Sequence, residues 1–138
     1  MTEPRILAFM CWCSSSGADQ AGVEGVSYPA GVLPVRIPCS GLLGPEFIIK
    51  AFEKGADGVI VTACKPSDMR RVAPSRITET RLEILRGLLE AAGVRGKRLQ
   101  IAWISSQEGT KFSDEMSRAV DEIAALGPMK FGEATATV

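Results

Sequence analysis

The sequence predicts a small α/β fold, a four-stranded parallel sheet with flanking helices. Two observations carry this reading. Short, continuous apolar runs alternate along the chain with segments whose apolar residues recur at helical spacing. Each strand-like run is apolar throughout rather than at every second position, as a parallel strand covered on both faces requires. A chain of 138 residues is close to the size of one domain with one core.

Taken in order, residues 5–11 (Arg-Ile-Leu-Ala-Phe-Met-Cys) form the first strand, followed by the loop Ser14-Ser15-Ser16-Gly17. Gly22, Gly25, Pro29 and Gly31 limit residues 18–31 to at most a short helix. The second strand is read at 33–39, where Pro34 and Pro38 lack ladder donors and point to an edge position or ragged ends. Gly44-Pro45-Glu46 then opens a helix with Pro in its first turn; Ile48, Ile49 and Phe52 form its apolar face and Gly55 ends it. Residues 57–64 (Asp-Gly-Val-Ile-Val-Thr-Ala-Cys) read as a fully buried third strand.

The next helix is expected over 76–92, with Ile77, Ile84, Leu85, Leu88, Leu89 and Ala92 at helical spacing and Gly93 as its stop. Residues 99–104 give the fourth strand. Phe112, Met116, Ala119, Val120 and Ile123 mark a last amphipathic helix, ended by Gly127-Pro128. The apolar stripe of each helix is expected to pack on the sheet. The resulting architecture is flavodoxin-like, with residues 1–128 as a single domain and 129–138 as a tail of no clear periodicity.

Composition narrows the chemistry. Sixteen Lys plus Arg balance sixteen Asp plus Glu, which argues against a general nucleic-acid or anionic-membrane binder. There is no histidine, so Ser-His-Asp and Cys-His catalysis, His-ligated zinc and His proton switching are excluded together. The apolar run at 6–13 has only eight residues, too short for a signal sequence or a membrane span. A cytoplasmic protein without direct membrane insertion is expected.

Four cysteines, Cys11, Cys13, Cys39 and Cys64, lie in the first half of the chain. In the predicted fold Cys11 and Cys13 end the first strand, Cys39 the second and Cys64 the third. Open parallel sheets bind ligands outside the carboxyl ends of their strands. The four thiols are therefore expected on one edge, as ligands of a shared metal or redox centre. Cys11 and Cys13, two apart in extended backbone, project to the same side with Trp12 between them. Thiolates in this number suit zinc or an iron-sulfur cluster, and their spacing does not choose between the two. The bland alternative is a set of small buried hydrophobes.

Other motifs are weaker. Cys64 to Arg70 fits the Cys-x5-Arg loop of cysteine phosphatases, but lacks glycine for a phosphate nest and carries Pro66 and Asp68. The Ser14–Gly17 loop could cradle a phosphate, as in a flavin-mononucleotide protein, but a Ser/Gly loop with no binding role is the favoured reading. Between positions 65 and 86, Lys65, Arg70, Arg71, Arg76, Arg81 and Arg86 outnumber Asp68, Glu79 and Glu83. Most of these are read as a solvated helix face; an excess of positive charge beside several thiolates would also lower thiol pKa values and offset the charge of a thiolate-bound cluster. Trp12 and Trp103 are read as packing residues, with Trp12 also placed to shield a centre from water.

Several separated motifs occur together in order: Phe9-Met10-Cys11-Trp12-Cys13-Ser14, Gly17-Ala18-Asp19, Cys39-Ser40-Gly41, Pro45-Glu46-Phe47, the stretch from Lys50 to Val59, Cys64 with Pro66 and Asp68, and Trp103-Ile104-Ser105 with Glu108-Gly109 and Lys111-Phe112. In these the chain resembles, from about Arg5 to Pro128, the delta subunit of methyl-viologen-reducing hydrogenase. The resemblance implies a 2Fe-2S cluster held by Cys11, Cys13, Cys39 and Cys64. It also implies a non-catalytic electron-transfer role between a hydrogenase or other oxidoreductase and the FAD subunit of a heterodisulfide reductase-like, electron-bifurcating complex. The chain departs from the family pattern at the first site, where Cys11-Trp12-Cys13 replaces a CxxC pair. It departs again at Met69, where the family carries a further cysteine, and at Leu42, where an arginine is common. A subunit that keeps the docking surface without the cluster is the alternative.

Overall fold

The computed structural model describes residues 3–11, 25, 29–63, 73–104 and 109–129. Within them lie β1 (Ile6–Cys11), β2 (Val32–Ile37), α1 (Pro45–Glu53), β3 (Gly58–Ala63), α2 (Ala73–Ala91), β4 (Leu99–Trp103) and α3 (Gly109–Ala125). Two 3-10 turns, Ser40–Leu42 and Gly96–Arg98, precede α1 and β4. The strands are all parallel in the order β2-β1-β3-β4, which is the flavodoxin-like order over four strands.

Strand chemistry explains the order. The six residues of β3 are all buried, as befits a central strand of Val, Ile and Thr. Pro34 sits in β2, the edge strand, where a missing donor leaves no ladder bond unmade.

Alternation divides the sheet's side chains between two faces. Ile6, Ala8, Met10, Ile60 and Ala102 pack with Phe112, Met116, Ala119 and Ile123 of α3. Phe9, Val59, Val61 and Leu99 pack on the other face with Ile48 and Phe52 of α1 and Leu82, Leu85 and Leu89 of α2. Gly58 is required where α3 comes closest to β3, since a Cβ there would lie 2.3 Å from Ile123 Cδ1.

Helix α2 differs from its expected form in two ways. It begins at Ala73, three residues before the predicted start. Its buried stripe is Thr78, Leu82, Leu85 and Leu89, while Ile77, Ile84 and Leu88 are 43%, 60% and 62% exposed and Ala92, just past its end, is exposed too. The apolar arc of this helix is wider than the strip that the sheet can cover, and the Thr78 to Leu89 row faces the strands. Gly93 ends it as expected, with φ +93° and the Val94 N–H donating to Leu89 O at 2.8 Å.

The amino-terminal edge of the sheet is tied by polar groups. Arg98, 3% exposed, donates to Asp57 O at 2.9 Å, Leu126 O at 3.3 Å and Gly127 O at 2.9 Å. It thus meets carbonyls just past the negative end of α3. The Asp57 carboxylate accepts the N–H groups of Arg5 and Met129 at 2.9 and 3.0 Å. At the β4 edge, Arg118 bonds Glu115 and Glu122. The hydrogen bond to Glu115 is the main cause holding this guanidinium above its ordinary pKa, against partial desolvation.

Candidate functional site

The carboxyl edge of the sheet is built by register. Cys11, the last residue of β1, pairs with Ile37, the last of β2. Met10 pairs with Thr62, so one position on Cys11 stands level with Ala63, which in turn pairs with Trp103. Ile37, Cys11, Ala63 and Trp103 therefore form the final row, on the face that carries α1 and α2. Cys11 is 2% exposed within it.

Cys39 is placed differently from expectation. Strand β2 stops at Ile37, and Cys39 is the N-cap of the Ser40–Leu42 turn. Pro38 accounts for the early stop, since it has no N–H for the ladder. Cys39 keeps extended dihedrals of −157° and 138°, and its carbonyl accepts the Leu42 N–H at 3.0 Å. The turn then packs against β1, β3 and α2. The strand order reverses between β1 and β3, with β2 on one side and β3 on the other. Parallel α/β sheets open a ligand crevice at such a switch point. The structure thus brings the half-buried Cys39 over the edge where Cys11 ends, and neither forms a disulfide.

Cys13 and Cys64 lie outside the described residues, as do Trp12, the Ser14–Gly17 loop, most of 18–31, the Cys64 to Arg70 loop with Met69, and residues 130–138. Cys64 directly follows Ala63 in the chain, and Cys13 comes two residues after Cys11. No group of three or more potential metal-ligating side chains occurs among the described residues.

Two side chains of α2 hold the turn: Thr78, which did not stand out in the sequence as part of a site, and Arg81, one of the basic residues of the 65–86 segment. Thr78 Oγ1 donates to Ser40 Oγ at 3.0 Å, a buried bond. Arg81 donates from an exposed position to Gly41 O at 2.7 Å. Of the basic residues expected around the thiols, Arg81 does reach the Cys39 turn, but Arg86 does not. Its guanidinium binds Leu99 O, at the opposite end of β4, with distances of 3.2 and 2.8 Å. Two clefts among the described residues lie elsewhere. One of about 760 Å³ is lined by Pro4, Arg5, Asp57 and Met129 at the amino-terminal edge, and one of about 310 Å³ by Arg86, Gln100 and Arg118 beside β4.

A family model described as methyl-viologen-reducing hydrogenase, delta subunit, matches residues 6–127. The chain belongs to this family. The matched span runs from the first residue of β1 to just past α3, so the whole sheet and its cysteine edge fall within it. Among curated relatives, an iron-sulfur subunit of the F420-non-reducing hydrogenase of Archaeoglobus profundus is 42% identical over 130 residues, 94% of this chain and 95% of that protein. The corresponding iron-sulfur subunit of the vhc F420-non-reducing hydrogenase of Methanococcus voltae is 39% identical over 137 residues, 99% of this chain and 95% of the relative. A third relative is of another kind. This component of the ferredoxin:CoB-CoM heterodisulfide reductase of Methanosarcina mazei is 34% identical over 127 residues, 91% of this chain but 16% of that protein. In that relative a segment similar to this delta-family chain is one part of a much longer polypeptide.

Proposed function

We propose that this delta-family chain is an electron-transfer subunit whose Cys11, Cys13, Cys39 and Cys64 thiolates hold a 2Fe-2S cluster. It passes electrons between a hydrogenase or other oxidoreductase and the FAD-containing, heterodisulfide reductase-like subunit of an electron-bifurcating complex in the cytoplasm. The observation that carries this reading is the packing of the Cys39-capped turn against β1, the strand that Cys11 ends, beside the β1/β3 switch point. The donor set fits the group. A two-iron cluster takes four protein sulfurs, the chain has four cysteines, and Cys13 and Cys64 follow within two residues of β1 and β3 in sequence.

When bound, the cluster supplies one-electron redox chemistry. The chain's own residues hold and bury the ligands: β1 fixes Cys11 in the last row, and Thr78 with Arg81 fixes the turn that bears Cys39. The names of the hydrogenase relatives support an iron-sulfur role. The Methanosarcina relative supports the partner, because there a similar segment is covalently part of a heterodisulfide reductase polypeptide. Electron transfer needs the two centres close together, so the cysteine edge is the surface that faces this partner.

Iron and acid-labile sulfide on anaerobically purified protein, with electron paramagnetic resonance after reduction, test the reading. Two irons and two sulfides per chain with a reducible signal are expected for such a cluster. Protein that stays metal-free after reconstitution overturns it. If that protein still binds the flavoprotein, its role is docking without a cluster.

A further inference from the structure

We propose that one flank of α2, with Leu42 beside it, is a docking surface for an amphipathic helix of the flavin-containing, heterodisulfide reductase-like partner, and that this helix brings a carboxylate to Arg81. The choice of partner rests on the reading above; the surface itself does not depend on the cluster.

Three rows of side chains run along α2 at the same i, i+4, i+7, i+11 spacing. Thr78, Leu82, Leu85 and Leu89 form the buried row. On one flank Glu79, Glu83, Arg86 and Glu90 make an ordinary charged row, with Arg86 reaching Leu99 O of β4. The other flank is Ile77, Arg81, Ile84 and Leu88, all exposed. Arg81 places this flank beside the 3-10 turn, since it donates to Gly41 O at 2.7 Å. Next to Gly41 stands Leu42, 72% exposed. Of the large apolar side chains exposed among the described residues, only Leu33 and Phe47 lie outside this patch. Isolated exposed leucines are ordinary, whereas a continuous row of apolar side chains marks a contact surface.

Shape and charge select the occupant. The row is straight and about 16 Å long at the helical rise per residue, a form that a second helix covers by ridge-and-groove packing. Arg81 is its one charge. Among the described residues only its Nη1 is engaged, which leaves the Nε and Nη2 donors as a fork that matches a carboxylate. No acidic residue shares the row, so the carboxylate comes from the partner. A second copy fits poorly, because two-fold antiparallel pairing of the rows brings two Arg81 guanidiniums to the middle of the interface with no acid to face them. The patch is also continuous with the turn that Cys39 caps. A helix seated on it holds its subunit beside the cysteine edge, where electron transfer requires it. The Methanosarcina relative, in which a similar segment is one part of a heterodisulfide reductase polypeptide, supports that choice of partner.

For the test, the complex is purified anaerobically from the native host through a tag on the full chain, and its isolated FAD-containing subunit is titrated into wild type, Ile84→Ser, Leu88→Ser, Arg81→Gln and the control Leu33→Ser. Far-ultraviolet circular dichroism and iron content are recorded for each. Ile84→Ser, Leu88→Ser and Arg81→Gln are each expected to raise Kd about tenfold or more with the helical signal unchanged, and Leu33→Ser to keep the wild-type Kd. Arg81→Gln also gives up the bond to Gly41 O, so the two serine variants, which leave the turn alone, carry the test. A photoreactive benzoylphenylalanine at position 88 of the full chain should cross-link to an acid-bearing helix of the FAD-containing subunit. Wild-type affinity in both serine variants, or a cross-link that is missing or goes to a second copy or an electron-donor subunit, overturns this proposal alone. A tagged chain that brings down no FAD-containing subunit overturns the partner reading and this proposal with it.

Discussion

Arg98 and Cys39 illustrate two ways in which a single side chain matters here. Arg98 is buried and spans three carbonyls, joining the start of β3 to the end of α3. Replacing it with leucine keeps an apolar stem but leaves those acceptors without their donor, so Arg98→Leu is expected to cost about 2–3 kcal/mol. Urea denaturation measures this, and an unchanged midpoint would mean that water serves the carbonyls equally well. Cys39 is half-buried in a turn outside both core clusters. In the proposed cluster reading, Cys39→Ser and Cys64→Ser are each expected to abolish cluster absorption, with the helical circular dichroism retained. Full absorption in both variants would remove these residues from the ligand set.

Helix α2 carries more apolar residues than the sheet can cover. Leu85 belongs to the buried row and Leu88 to the exposed one, although they are one turn apart. Leu85→Ala opens a cavity under the helix and is expected to lose about 2–4 kcal/mol. Leu88→Ala stays within about 0.5 kcal/mol in the isolated chain. Equal losses by chemical denaturation would show that Leu88 is covered in solution. Helical spacing alone includes both leucines in one stripe, because the arc from Ile77 to Leu89 is continuous on the helix surface. Only packing against β3 and β4 separates its two halves.

The molecule as a whole has two unlike poles. Its amino-terminal edge is closed by Arg98 and by the Asp57 carboxylate, which joins Arg5 to Met129. Its carboxyl edge, in the proposed reading, is closed by a cluster whose ligands come from β1, from the turn after β2 and from the residue after β3. A group bound by such sequence-distant ligands binds the native state and not the unfolded chain, so it stabilises the fold by linkage. The loaded protein is expected to unfold at a higher temperature than the iron-free form. Coincident thermal transitions for the two would mean that no cluster joins these three segments.

By itself, the sequence determined the alternation of strands and helices, pointed the proline-bearing strand to an edge position or ragged ends, and placed Cys11 at the end of the first strand. Each follows from local rules: continuous apolar runs, missing N–H donors, and the carboxyl-end logic of parallel sheets. The family resemblance was legible because its motifs are short runs of residues, in helices and turns as well as at the end of β1. Tertiary structure alone decided that β2 stops at Ile37 and hands Cys39 to a 3-10 turn, because Pro38 cannot continue the ladder and the turn finds a packing site on β1, β3 and α2. It alone chose Thr78 and Leu82 over Ile77 and Ile84 as the face of α2 that meets the sheet. It also brought Thr78 to Ser40, 38 positions apart in sequence. A side-chain hydrogen bond across that separation leaves no periodic trace, and exists only once both segments are packed against the same strands.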